Sequence, residues 1–537
     1  MIKYIKILES DFTVGKAAII IGFFSFATKL AALFRERLFA SYFGQGPLLD
    51  SYFSAFRIPD FVTNLFVLST LSVAFLPVFA REKKASREEA EKFANTCLDF
   101  GLLFVGAVCL ILFVFSKPMT QYLVPGFSGQ QLQDTLKLTR LFLLTPIIFT
   151  ASTIFGGVLN AKKKFIITSL APLLYNLGII FGIVFLFGRF GILGLGYGVI
   201  LGALAQLFVQ VYTVWSGGFS LKWSFNSKLP AFREMLQMYL PRIFTFDLAN
   251  VTLLLTTIFA SLVVPGSITA VNQSFNLQSV PIGIFAFALS SAVFPVFSEH
   301  FANKNEIGYA NSLKKSVRQI LFLMVPATVF LVIFRAYVVR LVLGAGNFSW
   351  EDTVTTFTFL GIFAFSLVSQ SLTTLLSRAF FARHNTKTPV KANLVSVAIN
   401  IVLSYVLFQR LGTEGLVLGF VFSSIFNASY LALSLRDILR KQAGVQVVYE
   451  LEKFVLVGLN KIIMSSVIGG AVSYGLIYAL EPFVYTNTFF GILVQAALAG
   501  AGGVAVYLFA SFKLGLVEAQ AVYIAVSKLL PNKKPSF

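Results

Sequence analysis

The chain has 537 residues, 57% of them hydrophobic, 15% aromatic and only 12% charged, with a mean hydropathy of +0.82 and a formal net charge of +20. That composition excludes a soluble globular domain and predicts an all-α polytopic membrane protein. The basic surplus would suit nucleic acid, but no nucleic-acid partner is expected, because the cations are dispersed among apolar segments.

Apolar stretches long enough to cross a hydrocarbon core, roughly 20 residues each, recur about fourteen times. In chain order they cover 14–43, 51–79, 93–115, 138–159, 165–187, 192–215 and 235–263. They continue over 267–297, 313–343, 354–380, 390–408, 416–435, 454–480 and 489–512. The mixed segment 1–16 lacks a small-residue cleavage site, so the first span is expected to be retained. Cys97 and Cys109 fall on one predicted helix, about 18 Å apart along its axis, too far to bridge.

Lysine and arginine alternate connection by connection. They crowd the second (Arg81, Lys83, Lys84, Arg87, Lys92), fourth (Lys162, Lys163, Lys164), sixth (Lys222, Lys228, Arg233) and eighth (Lys304, Lys314, Lys315, Arg318) connections. They recur in the tenth (Arg378, Arg383, Lys387, Lys391), the twelfth (Arg436, Arg440, Lys441, Lys453) and the tail (Lys528, Lys533, Lys534). Odd-numbered turns such as Gly44-Gln45-Gly46-Pro47, Val264-Pro265-Gly266 and Gly344-Ala345-Gly346-Asn347 carry none. The positive-inside rule then places both termini and the even connections in the cytoplasm.

The chain also repeats itself. Phe39-Ala40-Ser41 recurs as Phe259-Ala260-Ser261 at an offset of 220, and Pro77-Val78-Phe79 as Pro295-Val296-Phe297 at 218. Asn176, Gly188 and Gly191 align with Asn400, Gly412 and Gly415 at 224. An offset of six spans keeps one orientation, so two six-helix lobes related by a parallel pseudo-two-fold are expected. The predicted division is 1–218, 219–445, and 446–537 for two additional spans and a basic tail.

Charges inside the first two spans need a reason, since an ionisable group in hydrocarbon requires a partner or a hydrated cavity. Lys29, Arg35, Glu36, Arg37, Asp50, Arg57 and Asp60 all lie there. Lys29 and Arg35 are candidates for a cationic wall that holds an anion such as pyrophosphate. Arg37 also reads as a snorkelling anchor. Arg57, Asp60 and Asn64 share one helical face beside Pro59. At the 220 offset the second half is neutral, offering Asn272, Asn276 and Ser279, then Ser366, Ser369, Gln370, Thr373 and Ser377. Such stripes suit a hydrated cavity or, equally, helix packing. Asp99, and Arg242 with Asp247, read as structural pairs. The two histidines, His300 and His384, stand singly, so no enzyme site or metal site is visible and no cofactor is expected.

Leu33-Phe34-Arg35-Glu36, Phe43-Gly44, Asp50 and Ala55-Phe56-Arg57-Ile58-Pro59 resemble the opening signature of the MurJ (MviN) lipid II flippase family. Gly157-Val158-Leu159-Asn160-Ala161, Asn276-Leu277-Gln278-Ser279-Val280-Pro281, Ala379-Phe380-Phe381-Ala382-Arg383 and Thr386-Lys387-Thr388-Pro389 extend the likeness over 14–440. The resemblance implies the multidrug/oligosaccharidyl-lipid/polysaccharide exporter fold, two six-helix lobes around a central cavity, and two extra helices forming a groove. It implies a polyprenyl-pyrophosphate-linked glycan as substrate, flipped by a monomer among membrane lipids in a bacterial cytoplasmic membrane, with no coupling ion identified. Implied substrate-binding positions are Lys29, Arg35, Arg57, Asp60, Thr63, Asn272 and Asn276, and implied gate positions are Glu36, Gly44, Gly46 and Asp50. Lys29 replaces a family arginine, and Thr63 and Asn276 stand where two more would be. A flippase for another polyprenyl-linked oligosaccharide, a cation-coupled drug exporter, and a membrane enzyme or scaffold are the competing readings.

Overall fold

The computed structural model describes residues 14–68, 71–243, 248–485 and 488–529, and among them every regular element is helical. Asp247, Lys533 and Lys534 lie outside the described residues, as do the side chains of Arg242 and Lys528. The chain divides into two compact units, Met1–Thr269 with Ala345–Phe348, and Ala270–Gly344 with Ser349–Phe537.

In the first unit the helices are α1 (Val14–Phe43), α2 (Pro47–Ala55), α3 (Arg57–Val62), α4 (Leu71–Ala85), α5 (Arg87–Val114), α6 (Ser116–Leu123), α7 (Gly129–Phe142) and α8 (Leu144–Ala161). They continue with α9 (Phe165–Phe181), α10 (Phe187–Phe190), α11 (Ile192–Ser216), α12 (Pro230–Ile243) and α13 (Leu248–Ala260), and α14 (Ser267–Pro281) begins here. The second unit holds the rest of α14, α15 (Phe287–Ala302), α16 (Glu306–Val342), α17 (Trp350–Ala364), α18 (Leu367–Ala382), α19 (Lys387–Leu411), α20 (Thr413–Gln442), α21 (Val445–Leu480), α22 (Phe489–Lys513) and α23 (Val517–Leu529).

Local sequence explains the helix starts. Ser86 accepts from the Glu88 amide ahead of two glutamates that favour the positive end of α5. Ser349 and Asp352 form a reciprocal capping box on α17. Among the described residues, ten helical segments are long and apolar enough to cross a membrane, and α17 with α18 makes an eleventh, bent by 45°. That bend has no proline. Instead the backbone tightens there to bonds from Phe365 N to the Ile362 carbonyl and from Ser366 N to the Phe363 carbonyl, while the Ser366 hydroxyl donates to the Phe363 carbonyl and accepts from the Gln370 side-chain amide. The remaining predicted spans are the first, which carries five charges, the second, broken at Phe56, and the seventh, interrupted by residues outside the described set.

Backbone geometry recurs along the chain as the sequence duplication does. Gly191 and Gly412 share φ/ψ of 56/−139° and 58/−138°, and Lys163 and His384 have φ of 57° and 56°. Both pairs are 221 residues apart, which corrects the third sequence match: Gly191 corresponds to Gly412 rather than to Gly415, and Asn176 does not correspond to Asn400. π-helical turns at Thr63–Leu68 and Ile282–Ala286 obey nearly the same offset. The compact units and the duplication divide the chain differently, because α12 and α13 cluster with the first unit.

One crossing in the first unit depends on glycine alone. Gly178 on α9 and Gly182, in the π-helical turn Gly182–Leu186 that follows it, face Gly194, Gly198 and Gly202 on α11, a small-residue spacing of four on both sides. A Cβ on Gly182 would lie 2.7 Å from the Gly198 Cα, and one on Gly178 would collide with the Gly202 backbone. The α9 helix also packs on α1, so this crossing sets where the charged end of α1 sits. Gly198→Leu should therefore destabilise the protein by about 1–3 kcal/mol through overpacking. Gly106→Ala, with nothing within 4 Å of the new methyl, should be neutral or slightly stabilising. Thermal unfolding of the purified proteins in detergent checks both, and equal melting of the two variants would refute the crossing as described.

Candidate functional site

Arg35, Glu36, Arg57 and Asp60 meet inside the first unit, where positive and negative groups lie side by side. Arg35 donates from Nη2 to Glu36 Oε1 at 2.6 Å and from Nη1 to Asn176 Oδ1 at 2.9 Å. Asn176 is held in turn by the Pro172 carbonyl. Tyr52, Tyr175 and Asp60 lie in the same electrostatic neighbourhood, and Arg57 beside Asp60. The Arg57 Nε donates to Thr257 Oγ1 at 2.7 Å, and Asn64 reaches Asn250 at 3.4 Å. Seven residues separate the partners on each helix, so the predicted face of Arg57 and Asn64 packs against one face of α13.

Two guanidiniums are thus matched by two carboxylates. Of the two residues expected to form a cationic wall, Arg35 is turned to Glu36 and Asn176. Lys29, six residues away on α1 and hence on another face, is exposed. Arg35 Nε retains a donor with no hydrogen-bond partner among the described residues. The cluster can bind an anion by exchange, with a phosphate oxygen taking the place of a carboxylate. Thr63 is buried with its hydroxyl on the Pro59 carbonyl, so it presents no ligand group.

A second assembly joins the uncharged connections. Asp50, 2% exposed, accepts from the amides of Gly266 (2.6 Å) and Thr269 (2.9 Å) and from Thr269 Oγ1 (2.7 Å). A carboxylate from α2 therefore caps the start of α14, where free amides favour negative charge. Gly44 ends α1 at φ 62°, and Gly46, in extended backbone, starts α2 by accepting from the Asp50 amide. Gly266, at φ 95°, lies so close to Gln45 that a Cβ would stand 3.1 Å from the Gln45 Cβ. Asn347 donates from its amide to the Ser41 carbonyl (2.9 Å) and from its side chain to the Tyr42 carbonyl (2.8 Å). Gly126 donates to Ser261 Oγ at 3.3 Å. Together these contacts form a clasp, and all lie within the first unit.

Of the other predicted positions, Asn272 is buried and Asn276 half-buried on α14 in the second unit. The stripe on the tenth span serves packing: Ser369 meets Ser424 at 2.9 Å, and Gln370 contacts Ser366 and Gln278. Asp99 is structural, accepting from the Ser224 amide. Sequence reasoning missed Thr257, Thr269 and Asn347 as partners, since nothing local marks a residue some two hundred positions from its counterpart. Gly266-Ser267 followed by Thr269 does carry a helix-start pattern that could have been read.

Asp50→Asn keeps the volume of the side chain but leaves one acceptor oxygen for three donors, weakening the clasp by about 1–3 kcal/mol. A Gln45→Cys reporter should then react several-fold faster with a membrane-impermeant maleimide. Buried Cys97 and Cys109 should contribute little background. An unchanged rate would show that Asp50 does not hold the clasp.

The sequence profile of the family described as "Lipid II flippase MurJ" matches residues 39–494. A protein of Borreliella burgdorferi described as "Probable lipid II flippase MurJ" is 27% identical over 75% of this chain and 79% of its own length. A Rhizobium tropici protein of the same description is 25% identical over 99% and 98%. Among solved structures, "Lipid II flippase MurJ, inward closed conformation" superposes with a TM-score of 0.76 at 24% identity, covering 92% of this chain and 98% of that one. An inward-facing MATE family transporter of the MOP superfamily superposes at 0.62 with 16% identity, over 79% and 99%, so the two share a fold. With more than four-fifths of its length matched by one profile, the chain belongs to the MurJ lipid II flippase family.

Proposed function

We propose that this protein flips undecaprenyl-pyrophosphate carrying the disaccharide-peptide of peptidoglycan from the inner to the outer leaflet of the bacterial cytoplasmic membrane. The observation that carries this reading is the family match over residues 39–494, which includes Asp50, Arg57 and both halves of the clasp. The protein is accordingly a multi-pass transporter and not an enzyme. The alternation of basic and bare connections supports cytoplasmic termini. The clasp then lies on the outer side, with Glu36, Gly44, Gly46 and Asp50 in or beside it as gate residues. Residues 1–218 and 219–445 act as the two rocking lobes, 446–537 add two helices, and a monomer suffices.

Arg35 and Arg57 receive the pyrophosphate by exchanging Glu36 and Asp60 for phosphate oxygens, with Lys29 as a peripheral position. Each negative charge carried outward through an inside-negative potential gains about 2.3 kcal/mol per 100 mV. The potential alone can therefore give direction, while the polyprenyl tail stays in lipid. One observation favours a second reading, a flippase for a different polyprenyl-linked glycan: the arginine-bearing cluster is charge-balanced, and Thr63 offers no donor to a headgroup.

Complementation in cells depleted of their own lipid II flippase, with lipid II accessibility assayed at the outer surface, tests the proposal. Wild type should restore growth and accessibility. Arg35→Ala should abolish both, and Arg35→Ala/Glu36→Gln, which removes the stranded carboxylate, should remain inactive if Arg35 contacts substrate. Rescue by the double variant would reduce Arg35 to a counter-charge. Failure of well-expressed wild type would favour the other glycan.

A further inference from the structure

Away from the clasp and the arginine cluster, the second unit contains a cavity of 250 Å³ between α16, α21 and the turn that leads into α23. Four cations line it, Lys314, Arg318, Lys453 and Lys461, against one carboxylate, Glu450. Two of the four are already engaged. Arg318, 5% exposed, pairs through Nη2 with Glu518 of α23 at 2.6 Å, and its guanidinium lies 4.0 Å from the Phe454 ring centroid. Its Nε has no hydrogen-bond partner among the described residues. Lys461 donates to the Leu514 carbonyl at the C-terminal end of α22, where the helix dipole favours a cation. Lys314 Nζ lies 4.3 Å from the same ring centroid, and Lys453 is exposed.

The site has been given room for a buried cation. A Cβ on Gly458 would stand 2.8 Å from Arg318 Nε, so the guanidinium can lie against α21 only because this residue is glycine. Glu450, Lys453, Phe454, Val457, Gly458 and Lys461 occupy one face of α21 in its first half, over about 16 Å. With 36 residues, α21 is about 54 Å long, well beyond a hydrocarbon thickness of about 30 Å, so its first turns stand at headgroup depth. Exposed Leu456, Val457, Ile463 and Met464 continue from the cavity as apolar surface along the same helix.

The geometry points to a binding site for the phosphodiester headgroup of an anionic glycerophospholipid from the leaflet at the basic ends of the spans. Lys314, Lys453 and the spare Arg318 N–H receive the phosphate, and the acyl chains lie on α21. After Glu518 and the α22 terminus have taken Arg318 and Lys461, the remaining surplus matches a monoanion. Basic pockets between spans at this depth hold lipid headgroups by the same combination of charge and apolar wall. The site is also tied to α23, because Arg318 of its lining pairs with Glu518. This inference does not rest on the flipping reading, and its test measures binding only.

The full chain in detergent, analysed by native mass spectrometry, should retain phosphatidylglycerol in preference to phosphatidylcholine. Lys314→Gln/Lys453→Gln should lower that retention about tenfold or more, as loss of two headgroup-depth cations predicts. Lys163→Gln/Lys164→Gln, at a separate basic turn, should leave it within about twofold. All three proteins should elute as one species with the same melting temperature, since every substituted lysine is at the surface or rim. Unchanged retention in the first variant, equal loss in the second, or equal retention of the two lipids would overturn the site. Displacement of the lipid by glycerol phosphate at matching concentration would assign the cavity to a soluble phosphate instead, overturning the lipid source.

Discussion

An ionised side chain inside hydrocarbon must have its counter-charge within reach, and the first unit is arranged around that requirement. Glu36 is 3% exposed and stands next to the arginine that neutralises it, so neither residue can be assigned a role without the other. Removing one partner strands the other at a cost larger than the net worth of the pair. Placing Arg35 so that it also reaches Asn176 fixes α1 against α9, which in turn depends on the glycine crossing with α11. The electrostatics of the cluster are therefore inherited from backbone contacts made at positions that carry no charge.

Much of the architecture was legible in the sequence because hydropathy and the alternation of lysine and arginine report spans and connections independently. The position of the charged patch was legible for the same reason, since charges are rare there. Its pairing was not. Arg35 finds Asn176 across 141 residues, and Arg57 finds Thr257 across 200, and no local pattern encodes such distances. The register of the duplication was misjudged at its third match because asparagines recur by coincidence in apolar helices. Asn176 serves Arg35 while Asn400 bonds Ser423, two unrelated tasks. Left-handed glycines at 191 and 412 give the register that side-chain identity could not.

The polar stripes show where composition stops being informative. Ser366, Ser369 and Gln370 have the residue types of a wet surface, yet their hydrogen bonds are spent on a kink and on neighbouring helices. Only the direction of each hydroxyl separates helix glue from a lined cavity. Asp50 is the opposite case, where a single carboxylate at a span boundary organises three donors that look ordinary in sequence.

Most of the groups that the clasp joins are main-chain atoms: the amides of Gly266 and Thr269 and the carbonyls of Ser41 and Tyr42. Main-chain atoms persist whatever side chain is attached. Positions 41 and 42 can accordingly drift without loss of the hydrogen bonds they supply, whereas Gly266 at φ 95° and Gly346 at φ 58° cannot gain a side chain without strain. Mutational sensitivity around the clasp should thus concentrate on a few glycines, one aspartate and one asparagine, and a scan of single substitutions would see a sparse pattern where the structure has a continuous seam.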